Sequence, residues 1–168
     1  PWDMYRNNYS WGGSADLTQE LGPFTLYYLG SYRAMHRDEQ FSTILANGVN
    51  GARNRTYEDD WQQSHEIRLS LDTIDRLKLQ AGAFYFEEES DVIQRVNTAI
   101  NLTPNGEAGT NLFFDIRPSA AKSYAFFGQG TYSLADTLRV TGGARYTHDE
   151  KARRGFGNIV CVNNFFTC

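Results

Sequence analysis

Three histidines, two cysteines and two acidic runs are the residues of this 168-residue chain that could carry chemistry. His36, His65 and His148 are far apart and share no metal-ligand spacing, so strand or loop positions account for them. Ser64 and His65 suggest a nucleophile and a base. Neighbouring residues on a strand point to opposite faces, however, so this pair cannot work together and a non-enzyme is expected. No phosphate-binding loop, dinucleotide fingerprint or G-x-S-x-G turn occurs, and no cofactor is expected. The runs Glu58-Asp59-Asp60 and Glu87-Glu88-Glu89 suit a solvated rim, with a divalent cation or lipopolysaccharide contact as the sharper reading. Cys161 and Cys168, seven apart, could close a small disulfide loop or remain free thiols; neither has a CxxC partner or a nearby His for metal.

These residues must be positioned by strands. Aromatics make up 14% of the chain, with 10 Tyr and 11 Phe, and Gly is frequent at 15 while Pro is rare at 4. That mix suits pleated strands. Hydrophobic residues at 40% and charged residues at 21% exclude a disordered or collagen-like chain. A net charge of −4 argues against a nucleic-acid partner. No run of about 20 apolar residues exists to form a membrane-spanning helix.

Period-2 alternation marks six strands, over 24–32, 66–73, 77–85, 124–134, 138–147 and, more weakly, 8–21. In 66–73, Ile67, Leu69 and Leu71 take one face and Glu66, Arg68, Ser70 and Asp72 the other. Short turns are expected at Gly22-Pro23, 72–75 and 135–137. Long polar loops are expected at about 41–60, about 91–122 and from about 152 onward. Short turns alternating with long excursions are the connection pattern of an outer-membrane β-barrel. A weak repeat supports this: 75–89 reads DRLKLQAGAFYFEEE and 136–150 reads DTLRVTGGARYTHDE.

A Tyr follows the first outward apolar residue of each ascending strand by eight positions: Phe24 to Tyr32, Leu77 to Tyr85, Leu138 to Tyr146. Eight steps of ~3.3 Å, tilted by about 40°, rise roughly 20 Å, close to the apolar band of about 25 Å on such barrels. Tyr32, Tyr85, Tyr124 and Tyr146 are therefore expected in an aromatic girdle at the lipid boundary. Charges follow soon after, at Arg37-Asp38-Glu39, Glu87-Glu88-Glu89 and His148-Asp149-Glu150-Lys151. The competing reading is a soluble β-domain with one wet face. The residues Lys78, Arg139 and Arg145 beside Gln80 and Thr141 fit a hydrated lumen better, and free use of Gly and Ala on the apolar face fits a lipid surface better than a packed core.

The strands resemble those of one family. Residues 63–69 (QSHEIRL) resemble the S-x-E-[IL]-R-L strand of TonB-dependent receptors, and 81–87 (AGAFYFE) the strand that follows it. Residues 124–134 and 138–151 resemble that family's Y-x-x-F-G-Q-x-T-Y-x-L and L-x-x-T-x-G-x-R-Y-T-x-D-E-K hairpin, and 24–33 its F-T-L-x-x-x-x-x-Y-R strand. The resemblance implies an all-β, antiparallel up-and-down transmembrane barrel of 22 strands in the bacterial outer membrane. It implies active uptake of ferric siderophores or other scarce, bulky nutrients, energised by the TonB complex, with a plug domain in the barrel. The chain is then expected to be an internal piece of such a barrel, since six strands do not close. Expected partners are outer-membrane lipid and lipopolysaccharide, a small-molecule nutrient, and TonB through parts absent from this chain. Ligand contacts are expected from the long loops and upper lumen, at Tyr57, Trp61, Phe113, Phe114 and Arg117. A passive porin or structural barrel is the alternative, and a soluble ligand-binding β-domain a further one.

Overall fold

The computed structural model describes residues 3–44, 50–99 and 109–161. They form one antiparallel sheet of seven strands: β1 (Tyr5–Leu21), β2 (Phe24–Ile44), β3 (Asn50–Ile74), β4 (Leu77–Ala99), β5 (Gly109–Ala135), β6 (Leu138–Arg153) and β7 (Phe156–Cys161). Strands β1 to β6 pair in sequence order, and β7 pairs with β5 above β6. The three short turns are two residues each: Gly22-Pro23, Asp75-Arg76 and Asp136-Thr137, with Gly22 and Arg76 at positive φ. Strand β3 thus runs past the expected turn at 72–75, through an irregularity between Leu71 and Ile74. The larger difference lies at the other end. Much of the polar sequence expected as loops is strand, because the β2–β3 and β4–β5 hairpins continue to Ile44/Asn50 and Ala99/Gly109. Polarity there reports water on the strand rather than an irregular backbone.

Directly paired residues point to the same side of a sheet, so the register assigns every side chain a face. On one face, Leu17, Tyr28, Ile67, Ala83, Phe126 and Tyr146 follow one another across β1 to β6. On the other, Asp16, Leu29, Glu66, Phe84, Ala125 and Thr147 do so. The first face is apolar, and it is bare: Leu138 and Val140 are each 54% exposed and Phe126 60%. Ala125 is the one buried apolar residue among the described residues. A single-layer sheet has no core of its own. Each large side chain left in water forfeits roughly 1.5–3 kcal/mol, so this face requires an apolar cover.

The apolar band is sheared in a regular way. Tyr32 pairs with Gln63, which pairs with Glu87, so Tyr85 stands two residues below Tyr32 in the ladder. Tyr85 pairs with Tyr124, which pairs with His148, so Tyr146 stands two residues lower again. The lower edge, Phe24, Leu77 and Leu138, steps by the same two residues per hairpin. One residue (~3.3 Å) per strand spacing (~4.8 Å) places a level line through the three tyrosines when the strands tilt by about 35°. That tilt lies within the range of closed barrels. At about 2.7 Å of height per residue the band is about 22 Å tall. The segments between its two edges make up the band, and what lies beyond the tyrosines is above it.

Higher up, β5 gains a residue relative to β4 between Ser90 and Val92, at Arg117-Pro118, where proline has no N–H to offer the ladder. At the same level the edge chain breaks between β6 and β7, and the Arg154 amide bonds the Pro118 carbonyl at 3.0 Å. Gly155 carries the chain through the break at φ +153, and a Cβ there would sit 2.5 Å from the Asp115 carbonyl oxygen. Gly155→Ala in the full-length protein should therefore free β7 from β5. Hydrogen exchange should speed up in 110–116 and 156–161 while 119–153 keeps its protection; equal rates throughout would contradict this account of the glycine.

Candidate functional site

The upper border of the apolar face is an aromatic rim that crosses all six strands. Trp11 packs on Tyr32 (ring centroids 5.2 Å apart), Tyr32 lies parallel to Trp61 (6.3 Å), and Tyr124 meets His148 (5.0 Å). Tyr85 stacks on His65 at 6.4 Å, and the hydroxyl of Tyr28, lower in the band, hydrogen-bonds His65 Nδ1 at 2.8 Å. That bond gives a phenol inside the apolar band a polar partner. Tyr32, Tyr85 and Tyr146, the tyrosines of the eight-residue spacing, lie on this face at one level, and Tyr124, on descending β5, stands opposite Tyr85. Trp11, Trp61 and the histidines escape that reading. The two Trp lie on descending strands, where the spacing from a short turn is not repeated.

Just above the rim, Glu87 is held by three donors. Lys122 Nζ stands 2.9 Å from it, the Tyr85 hydroxyl donates at 2.8 Å and Gln63 Nε2 at 3.0 Å. The Lys122 bond, followed by those of Tyr85 and Gln63, pushes the Glu87 carboxyl down to about 2. The knot ties β3, β4 and β5 together where charge begins.

The opposite face is polar with an aromatic centre. The Arg145 guanidinium lies 5.9 Å from the ring centres of both Phe84 and Phe127. Phe127 covers Gly82, where a Cβ would stand 2.5 Å from the ring, so this close approach needs glycine. Arg68 pairs with Glu66 beside them. Higher on this face a shallow depression of about 370 Å³ is lined by Arg33, Met35, Asp60, Gln62, Glu88 and Ser119, among others. Asp60 Oδ1 is buried there without a hydrogen-bond partner. Burial and then the charge of Asp60 hold the neighbouring Glu58 carboxyl above its usual range, against the pull of Arg37. Above these, Val92, Val96, Leu112 and Ile116 turn an apolar strip to the same side.

The five residues expected to meet a ligand do not form one cluster. Phe114 lies on the polar face, in the apolar strip, and is 38% exposed. Tyr57 and Trp61 point to the other side, as does Phe113, whose ring takes the Arg95 guanidinium at 5.3 Å. Arg117 donates from Nε to Asp115 at 2.6 Å, also on that side, and holds the Asp115 carboxyl below its usual range. Ser64 and His65 take different partners, Ser31 on one face and Tyr28 on the other. Among the described residues no group of three or more His, Cys, Asp or Glu is placed to hold a metal ion. Cys168 and the side chain of Cys161 lie outside the described residues.

The family profile "TonB dependent receptor-like, beta-barrel" matches residues 1–166. The chain belongs to the TonB-dependent receptor family. Its fold is similar to that of the ferric yersiniabactin uptake receptor FyuA from Yersinia pestis, with a TM-score of 0.64 at 11% identity, over 94% of this chain and 25% of that one. The chain therefore spans about a quarter of that receptor's length. The ferric citrate transporter FecA in its unliganded form aligns over 92% of this chain and 23% of its own at 11% identity, with a TM-score of 0.39, too low to bear on the fold. No curated protein matches by sequence.

In a TonB-dependent receptor barrel the apolar face is the lipid side and the polar face the lumen. Ala81, outward at mid-band, and Gln80, inward beside it, should then respond differently to the same change in the full-length receptor. Ala81→Arg should cost roughly 2–4 kcal/mol of folding free energy in bilayers, and Gln80→Arg under about 1 kcal/mol, measured by urea titration; equal costs would refute the assignment. A second measurement concerns Glu87. Its carboxyl titrates lower in the folded protein than the ordinary value of 4.5, so its stabilising contribution is complete above that pH and is lost as pH falls towards about 2. Glu87→Gln should lower the melting temperature at neutral pH, and its difference from wild type should shrink across that window; a pH-independent difference would exclude this origin.

Proposed function

We propose that the chain forms part of the wall of an active transporter in the bacterial outer membrane, which takes up ferric siderophores or other scarce, bulky nutrients with energy delivered through the TonB complex. The carrying observation is the pairing of two unlike faces in one sheared sheet. An apolar band with an aromatic rim suits lipid on one side, and a charged, hydrogen-bonding wall suits a hydrated path on the other. Membership of the TonB-dependent receptor family supports the transport role. The apolar side meets outer-membrane lipid, with Tyr32, Tyr85, Tyr124 and Tyr146 in its girdle. Phe114 and the depression around Arg33 and Asp60 lie on the side that a small-molecule nutrient would pass. TonB engages other parts of the receptor. The chain's role is transport rather than catalysis.

The test uses the full-length parent receptor in iron-starved cells. Uptake of a panel of radiolabelled ferric siderophores should fall on deleting the gene, return on complementation, and collapse when a protonophore removes the inner-membrane gradient. Uptake that survives the protonophore and rises linearly with concentration would identify a passive porin instead. Folding of the isolated chain as a soluble monomer without detergent would refute a membrane wall altogether.

A further inference from the structure

Above the rim, the outward face changes sign with height. The lower tier is mainly acidic, with Glu89, Asp91, Asp59 and Glu150 beside the Glu87–Lys122 pair. Higher still, Arg53, Arg55 and Arg95 stand together on β3 and β4. Alternation along β3 from Ile67 to Arg53, and along β4 from Tyr85 to Arg95, is unbroken in the β3–β4 ladder, so all three share the side of the apolar band and face away from the lumen. Arg95 is ten residues beyond Tyr85. At about 2.7 Å of height per residue, that places it ~27 Å above the rim.

The three guanidiniums are unequally compensated. Arg55 makes a two-pronged pair with Asp38, from Nε and Nη2, each at 3.1 Å. The Nε of Arg53 donates to the neutral amide oxygen of Gln40 at 2.8 Å. Arg95 lies over the Phe113 ring. Among the described residues, Asp38 is the one carboxylate that pairs with these three guanidiniums, so the cluster is net positive. Arg55 and Arg95 are also directly opposite each other in the ladder, a like-charge placement that costs stability unless an anion stands between them.

From this geometry we infer that Arg53, Arg55 and Arg95 form an outward anion site for phosphate groups on the sugars of the surrounding outer-leaflet glycolipid. The inference rests on the outer-membrane reading above. Guanidinium forks match phosphate oxygens, and Arg does so better than Lys because its donors are coplanar. The occupant is the glycolipid because the site faces the lipid side at sugar height, well above the acyl chains. The acidic tier beneath repels phosphates close to the rim, which favours contact with phosphates farther out along the sugar chain.

The test uses full-length receptor purified in detergent and rough lipopolysaccharide, either intact or dephosphorylated with aqueous hydrogen fluoride. Wild type should bind the intact form at least tenfold more tightly than the dephosphorylated one. Arg53→Gln/Arg55→Gln/Arg95→Gln should abolish that preference. Arg95→Gln, which removes a side chain that forms no ion pair among the described residues, should weaken it severalfold without disturbing the fold. EDTA should leave the wild-type preference intact. Equal binding of the two forms, or an unchanged preference in both variants, would overturn the site. A preference abolished by EDTA would overturn it too, assigning the contact to cations bridged by the acidic tier. Both variants should still fractionate with the outer membrane and keep wild-type uptake. Loss of outer-membrane fractionation by the wild-type protein would instead refute the underlying membrane reading.

Discussion

The ladder of backbone hydrogen bonds between neighbouring strands is the constraint from which the rest of this sheet follows. In hydrocarbon no water is available to pair an amide or a carbonyl, so each strand must be satisfied by its neighbours along the whole height of the bilayer. From Leu77 to Ser90, strand β4 is paired to β3 and β5 at almost every residue. The irregularities lie where water can serve the backbone: between Leu71 and Ile74 and between Ser133 and Ala135 near short turns, and at Thr43-Ile44, Arg117-Pro118 and Gly155 well above the rim. Because the register is fixed, so is the face of every side chain, and a slip of one residue would turn Leu69 and Phe126 to the lumen and Arg68 and Arg145 to lipid.

The same ladder sets where polar groups can sit. Within the band the outward side carries almost only hydrocarbon and aromatic rings, and its exceptions have partners, as Tyr28 and His65 have each other. Charge begins with Glu87, where three donors converge on one carboxylate. Above that level the two faces exchange character. On β4 and β5 the inner side becomes apolar at Val92, Val96, Leu112 and Phe114, and the outer side carries Arg95, Asp115 and Arg117. One strand thus reads as two sequences, each written for its own solvent.

Solvent also decides how far the fold is legible in the sequence. Period-2 alternation in 66–73 and 77–85 reveals strand and face together, because one side is uniformly apolar there. The eight-residue spacing from Phe24 to Tyr32 marks the rim wherever a short turn sets its origin. Beyond the rim the apolar signal that marks a strand disappears. The segment 52–60 therefore reads as loop although it is paired on both sides. For the same reason Tyr57, Phe113, Phe114 and Arg117 can be placed near the top of the wall but not on a face. Their parity depends on unbroken strand from the band upward, and on β5 the extra residue at Arg117-Pro118 resets it. Strand β7 is hidden because its pairing is made by the edge of β5 rather than by alternation of its own.

The stagger of one residue per strand also governs curvature. A sheet that climbs as it goes round must return to its own first strand displaced by a fixed number of residues, and strand count and displacement together set the radius. At about 35° of tilt each strand occupies ~5.9 Å of circumference. Twenty-two strands of this kind, the number usual in the family, would enclose a bore about 41 Å across between backbones. Such an opening is too wide for the side chains of the wall to fill. The Arg145 aromatic seat, on the polar face of β4 to β6, therefore looks into open space across the bore rather than onto an opposite strand.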